Sequence, residues 1–157
     1  MIKLDVGCGT KKEDGFIGLD NRPIFGVDIV HDITKIPWPL EDNTCHIVLL
    51  RRILEYIPPP TLLPVFDELW RIVISGGQLL IASAYAGSYN ALNDPLCYRP
   101  GFTPTAFQMF DPSFREYSEY KPKPWKIVNT QYDLMSNVNV IMENMKEVPS
   151  VITSVRD

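Results

Sequence analysis

Apolar and polar positions follow one another along this chain in blocks that predict an α/β fold. Four short, continuous apolar runs near the N-terminus predict strands over residues 2–6, 15–20, 27–32 and 45–50. A fifth and strongly apolar run covers residues 78–85. Runs of this length, bounded by glycine or polar residues, are typical of buried parallel strands. The pattern therefore predicts a mostly parallel sheet.

The segment before the fifth strand has helical rather than strand periodicity. Thr61 is a candidate N-cap, Pro64 lies in the tolerant first turn, and Gly76-Gly77 is expected to end the helix. The apolar positions that recur at helical spacing are Leu62, Val65, Phe66, Leu69, Trp70 and Val73. Their stripe predicts packing against the sheet.

Prolines, glycines and aromatic residues dominate residues 86–126. Within them only TPTAFQMF has a helical pattern, with Thr103 as N-cap and Pro104 in the first position. A loop of this length in a compact domain is usually functional or disordered, and its aromatic content argues against disorder. KIVNTQYDL and NVNVIMENM then predict a closing antiparallel pair, joined through MSN. We expect a single domain over residues 1–157, with residues 86–126 as a long loop region inside it.

Composition narrows the classes of function. The net charge of −4 and the pI of about 5.2 argue against a broad basic surface for nucleic acid. No apolar run approaches the roughly 20 residues of a membrane span, and the N-terminus has no secretory-signal pattern. Three irregularly spaced cysteines (Cys8, Cys45 and Cys97) predict neither a disulfide framework nor a metal site. These features favour a cytoplasmic protein with reduced thiols.

The stretch LDVGCGTKKEDGFIGLD, residues 4–20, carries the candidate chemistry. Gly7 and Gly9 follow the first strand, and glycines there permit a sharp turn and a close approach of ligand to backbone. Asp5 precedes them, while Asp20 and Asp32 end the second and third strands. Because parallel strands end at one edge of a sheet, these three carboxylates are expected along one ligand-binding edge.

Three carboxylates disfavour a pyrophosphate, because like charges repel. Lys12 also stands where the dinucleotide pattern requires a third glycine. An adenosine that carries a positive group fits better. Asp20 can accept both ribose hydroxyls, Asp32 the adenine amino group, and Asp5 faces the region of an ammonium.

From about residue 3 to about residue 110 the chain resembles class I S-adenosylmethionine-dependent methyltransferases of the compact type 11-like group. LDVGCG resembles the family's glycine motif, and GFIGLD its ribose-binding strand end. VHDITKIPWPLEDNTCHIVLLRRILEYI resembles the segment with the adenine contact and the fourth strand. RIVISGGQLLIAS and DPLCYRPGFTPTAFQMF resemble two later family segments, although Ser75 stands where a proline is usual. The resemblance implies a Rossmann-like methyltransferase fold with an antiparallel C-terminal strand and several peripheral helices missing.

The same resemblance implies a set of cofactor contacts for S-adenosylmethionine and its product S-adenosylhomocysteine. Asp20 would bind the ribose, and Asp32 with the Ile33 backbone would bind the adenine. Arg51, after the fourth strand, would lie near the methionine end. The methionine part would be lined by Asp5, Gly7, Cys8 and Gly9.

Departures from the family concern the cover and the acceptor side. Ten residues between Gly9 and Asp20 are too few for the usual first helix plus a strand, and we expect the family's N-terminal helices to be missing. The family's histidines near the fourth strand are replaced by Arg51-Arg52 and Tyr56, and a histidine of the late loop by Cys97. No catalytic residue can be assigned from the sequence. Arg51, Tyr56 and Tyr85 are weak candidates, and packing or surface ion pairing are the alternatives for them.

The sequence leaves two functions open. The first is transfer of a methyl group to an unidentified acceptor, with a small molecule favoured. The second is a degenerate or partner-completed cofactor-binding module that serves as an interaction subunit. In either case a second copy or a partner protein could cover the open site.

Overall fold

The computed structural model describes residues 1–146, which form one mixed sheet of seven strands. The strand order is β3-β2-β1-β4-β5-β7-β6, and β7 runs antiparallel to both of its neighbours. The strands are β1 (Ile2–Val6), β2 (Ile17–Asp20), β3 (Ile29–Val30), β4 (Cys45–Arg51), β5 (Val73–Ala84), β6 (Trp125–Tyr132) and β7 (Asn137–Asn144). This topology confirms the predicted mostly parallel sheet with its antiparallel C-terminal strand.

One helix of three turns, α1 (Leu62–Ile72), covers one face of the sheet. Its inward residues Val65, Phe66 and Leu69 are at most 2 % exposed, as the helical periodicity predicts. The described residues also contain the short helices α2 (Tyr89–Leu92) and α3 (Tyr117–Tyr120) and 3-10 segments at Leu54–Tyr56, Pro59–Thr61 and Pro104–Phe110. No helix within residues 1–146 is long and apolar enough to cross a membrane.

The helix end was predicted wrongly. α1 ends at Ile72, and Gly76-Gly77 lies inside β5, where Gly76 has φ +70° and the pairing with β4 shifts register. Residues distant in sequence bind the last carbonyls of the helix instead. The Asn144 amide donates to Trp70 O (3.0 Å), and the Lys146 ammonium donates to Arg71 O (2.9 Å). Tertiary capping therefore ends the helix before the glycines.

The loop region contains more helical segments than the one that the sequence predicts. Residues 86–126 contain α2, the 3-10 segment Pro104–Phe110 and α3. The predicted caps Thr61 and Thr103 stand before their segments, but neither side chain caps; the Thr61 hydroxyl donates to Pro58 O instead. Ser88 does cap α2, accepting from Ala91 N at 3.2 Å. The third strand is also shorter than predicted, with two residues at the sheet edge.

The two faces of the sheet differ in cover. On the α1 side the strand residues Val48, Leu79 and Val140 are at most 1 % exposed. Their neighbours on the opposite face, such as Leu49 and Leu80, are half-buried. Among the described residues no helix crosses that face, because the connections from β1 to β2 and from β2 to β3 contain none. We call this side of the sheet the open face.

Candidate functional site

The first residues of the loop after β1 are hydrogen-bonded to the end of β2. Gly7 (φ +67°) donates its N–H to Leu19 O at 2.7 Å, and Gly9 (φ +54°) donates to Asp20 Oδ2 at 2.9 Å. Positive φ values are rare outside glycine, which explains this pair of residues. A Cβ on Gly7 would also lie 2.6 Å from Ile53 Cδ1. The loop therefore turns sharply at the carboxyl edge of the sheet.

Two cavities meet at Gly7, which lines both of them. The first, of about 230 Å³, lies over the glycine loop; its lining residues are Asp5, Gly7, Cys8, Lys11 and Arg51. The second, of about 120 Å³, lies between the ends of β2, β3 and β4; its lining includes Asp20, Asp32, Ile33, Thr34 and Tyr56. The structure thus brings the three predicted carboxylates to two adjoining cavities at one edge.

Asp5 is 1 % exposed and has one satisfied and one unsatisfied carboxylate oxygen. Its Oδ2 accepts the Glu13 N–H at 2.9 Å and the Arg51 Nη2 at 2.8 Å. Its Oδ1 is buried and has no hydrogen-bond partner among residues 1–146. A buried carboxylate oxygen without a donor is costly, and a ligand ammonium in the cavity would satisfy it.

Arg51 holds the glycine loop against β4. Besides Asp5, its guanidinium donates to Glu13 Oε2 at 2.9 Å and to Lys11 O at 2.9 Å. The planar guanidinium carries several donors in fixed directions, so one side chain spans all three acceptors. Arg51 therefore lines the cavity and also acts as a clamp, because it holds the glycine loop against β4 through these hydrogen bonds.

Asp20 is 5 % exposed and is surrounded by donors. Oδ1 accepts from the Arg22 backbone N and Nε, both at 3.0 Å, and Oδ2 accepts from Gly9. Burial acts to raise the pKa of Asp20, but the hydrogen bonds from Arg22 and Gly9 outweigh it and leave the pKa lowered. The carboxylate is ionised at neutral pH.

Asp32 forms a local turn with Thr34. Its Oδ1 accepts the Thr34 N–H at 2.9 Å and the Thr34 hydroxyl at 2.8 Å, and these bonds lower the pKa of Asp32. The neighbouring Ile33 is 9 % exposed, and its carbonyl accepts from Trp38 Nε1 at 2.9 Å. Buried Trp38 thereby fixes the backbone that carries Asp32.

Cys8 lies in the glycine loop but is buried. Burial raises the pKa of its thiol, and the charges of Asp5 and Asp20 raise it further. A protonated, buried thiol is a poor nucleophile. Cys8 therefore contributes to packing in the cavity wall.

The three weak catalytic candidates lie apart. Arg51 and Tyr56 line different cavities, and Tyr85 lines neither. The Tyr56 hydroxyl donates to Asp94 Oδ2 at 2.5 Å, a bond that raises the pKa of Tyr56 to about 12. Tyr85 packs edge-on against Tyr132, with ring centroids 5.0 Å apart. The Tyr56 hydroxyl is thus a hydrogen-bond donor to the loop region and stays protonated near neutral pH, so it cannot act as a base there.

Two residues at the site were missed by sequence reasoning. Arg22 pairs with Asp20, and its spacing of two residues after a strand-end aspartate is the signal that could have shown it. Buried Glu55 accepts the Ala84 N–H at 2.5 Å, and its backbone carbonyl accepts from Tyr98 N at 2.8 Å. Glu55 therefore joins the end of β5 to the loop region, which no local pattern indicates.

Comparison with known proteins identifies the fold. No family model matches this chain, and no curated protein matches its sequence. Solved structures match well, and many of them are S-adenosylmethionine-dependent methyltransferases. The chain spans between 51 % and 91 % of the length of the similar structures. At these low identities the likeness establishes that the chain has the fold of this class.

Three similar structures illustrate the match. N-methyltransferase NodS from Bradyrhizobium japonicum, in complex with S-adenosylhomocysteine, is 13 % identical with a TM-score of 0.61, over 92 % of this chain and 78 % of that one. The 1,6-didemethyltoxoflavin-N1-methyltransferase from Burkholderia thailandensis, with bound 1,6-didemethyltoxoflavin and S-adenosylhomocysteine, is 10 % identical with a TM-score of 0.65, over 91 % of this chain and 70 % of that one. A methyltransferase in complex with the Trm112 activator of Haloferax volcanii is 13 % identical with a TM-score of 0.60, over 90 % and 81 %.

Proposed function

We propose that this chain is an S-adenosylmethionine-dependent methyltransferase of a compact, type 11-like kind, with S-adenosylhomocysteine as its product. One observation carries the proposal: Asp5, Asp20 and Asp32 line adjoining cavities around a glycine loop with positive φ values. Two of the similar structures described above contain S-adenosylhomocysteine. An acidic cavity is suited to a cofactor that carries a sulfonium and an ammonium.

The residues present fit such a cofactor. The unsatisfied Oδ1 of Asp5 suits the methionine ammonium, within a cavity lined also by Gly7, Cys8 and Arg51. Asp20, at the end of β2, would accept the ribose hydroxyls in place of the Arg22 guanidinium, with Gly9 N holding one of its oxygens. We assign the adenine to the cavity beside Asp32 and Ile33.

When bound, the cofactor would supply a methyl group on a positively charged sulfur for in-line transfer to an acceptor. The chain contributes alignment, and alignment alone can supply several kcal/mol. Asp5 and Asp20 would fix the two ends of the donor, and Arg51 would hold the loop between them.

We propose a small molecule as the acceptor. The net charge of −4 argues against a polyanionic substrate, and one similar structure is a methyltransferase with bound 1,6-didemethyltoxoflavin, a small molecule. Tyr56 is held as a donor by Asp94, so an acceptor that needs no deprotonation by this side chain is favoured. Three free cysteines within the described residues support a reducing compartment and hence the cytoplasm.

Calorimetric titration with S-adenosylhomocysteine tests the proposal. We expect saturable binding at one site, lost in Asp20→Ala and retained in Asp14→Ala, a change of an exposed aspartate between β1 and β2. Circular dichroism and thermal unfolding establish that the variants are folded. If Asp20→Ala does not fold, Asp32→Asn replaces it. No binding at high micromolar ligand, or equal loss in both variants, would overturn the proposal.

A second candidate function is a cofactor-binding module completed by a partner protein. The open face favours it, because parallel sheets normally have both faces covered. A similar structure is that of a methyltransferase with its activator protein. Binding of S-adenosylhomocysteine only in the presence of another protein would select this function over the first.

A further inference from the structure

The strand register arranges the open face into three rows of side chains. Residues paired across neighbouring strands point to the same side of a sheet, so the register defines each row. The middle row is apolar at its centre and contains Asp5, Leu49, Leu80, Ile141 and Asn129. The row towards the start of β1 contains Lys3, Ile47, Gln78, Glu143 and Lys126. The row nearest the functional site contains Arg51, Ala82, Asn139 and Gln131.

Within residues 1–146, the open face of the sheet has no covering layer. Its apolar residues are half-buried in residues 1–146, whereas the opposite side of the same strands is buried. A cleft of about 470 Å³ lies over the apolar centre of the middle row, bounded by Phe16 on one side and by Asn129 and Gln131 on the other. A parallel sheet is stable chiefly when both faces are covered, so this surface calls for a cover.

We propose that the open face is covered by a second copy of this chain, packed face to face about a two-fold axis that runs along the strands between β4 and β5. The proposal is independent of the cofactor. Two sheets pack about 10 Å apart with their strands nearly aligned, and a two-fold axis in this position satisfies that geometry. It leaves the carboxyl edges of both sheets on the same side.

The charge pattern of the face is complementary to itself about this axis. Lys3 lies on β1, two strand positions from the axis on one side, and Glu143 lies on β7, two positions from it on the other. Both residues belong to the same row, so Lys3 of one copy faces Glu143 of the other. Neither side chain forms an ion pair with another residue of the described chain. Leu49 faces Leu80 in the same way, at the centre of the contact.

Sedimentation over a range of micromolar concentrations tests this arrangement. We expect a dimer, and we expect Lys3→Glu and Glu143→Lys each to weaken dimerisation about tenfold or more, because like charges then face each other. The double variant Lys3→Glu/Glu143→Lys restores the opposite charges and should restore the dimer. Lys35→Glu, an equal change of charge in the loop between β3 and β4, is the control and should dimerise normally.

Leu80→Lys gives a second test, at the apolar centre of the middle row. We expect a folded monomer, since Leu80 is already half-exposed in the single chain. A wild-type monomer at every concentration would overturn the proposal, as would a dimer indifferent to the three single changes on the face. A monomer whose open face binds an apolar dye would assign the face to a small ligand instead, and would also overturn it.

Discussion

Arg22 donates three hydrogen bonds to the carboxylate of Asp20: one from its backbone N and two from its guanidinium, at 3.0, 3.0 and 3.5 Å. Gly9 N adds a fourth at 2.9 Å. A carboxylate offers about four lone-pair sites, so these donors occupy them all. Ribose hydroxyls can therefore bind Asp20 only by displacing the Arg22 guanidinium.

Arg22→Ala is expected to tighten binding of S-adenosylhomocysteine a few-fold. The side chain is 60 % exposed, so its removal frees the carboxylate without disturbing the core, and the backbone donor stays. Calorimetric titration measures the affinity. Arg115→Ala, a change of another exposed arginine, is the matched control and should leave the affinity unchanged. Weaker binding in Arg22→Ala would mean that Arg22 contacts the ligand rather than competing with it.

Arg51→Ala is expected to weaken binding of S-adenosylhomocysteine about tenfold, the cost of one lost charged hydrogen bond at a buried acceptor. The guanidinium ties Asp5, Glu13 and the Lys11 carbonyl together, and without it the glycine loop loses its attachment to β4. Arg51→Lys keeps the charge but not the three-way geometry, so an intermediate affinity is expected. Unchanged affinity in Arg51→Ala would contradict the clamp.

The parts of the fold that local patterns specify could be predicted from the sequence. Asp5 lies in the first apolar run, just before the glycines, and Asp20 and Asp32 end the second and third predicted strands. The meeting of parallel strand ends at one edge brings the three together. The stripe of α1 likewise predicted its buried face. Such features depend on residues a few positions apart, where periodicity carries the information.

Features that depend on distant partners could not be predicted. The end of α1 is set by Asn144 and Lys146, more than seventy residues along the chain. Tyr56 meets Asp94 across thirty-eight positions, so this weak catalytic candidate is hydrogen-bonded to the loop region. No local pattern encodes such pairs, because they form only once the sheet has assembled.

Phe66→Ala is expected to lower the free energy of unfolding by about 3–5 kcal/mol, the usual cost of removing a buried phenylalanine. Phe66 is 2 % exposed, and its ring stacks on that of Phe110, with centroids 4.1 Å apart. This contact attaches the 3-10 segment Pro104–Phe110 to α1. Chemical denaturation measures the change. Phe25→Ala is the control, because Phe25 is 99 % exposed and its loss should cost nearly nothing; equal effects would place Phe66 outside the core.

Asp133→Asn is expected to destabilise the protein in a pH-dependent way. Asp133 lies in the turn between β6 and β7, where it accepts from Asn139 Nδ2 at 3.0 Å, Asn137 N at 3.0 Å and Met135 N at 2.8 Å. The bond from Asn139, followed by those from Asn137, lowers the pKa of Asp133 to about 2. The folded pKa is thus below the unfolded value of 3.8. The stabilisation is therefore complete above that value and is lost as the pH falls towards about 2.

Denaturation of the wild type and Asp133→Asn at a series of pH values measures this contribution. The difference in unfolding free energy should be constant near neutral pH and should shrink as the solution is acidified through the window between the two pKa values. Leu134→Ala, in the same turn but not ionisable, supplies a comparison whose difference should not vary with pH. If the difference for Asp133→Asn persists unchanged in acid, the stabilisation by these hydrogen bonds does not depend on the charge of the carboxylate.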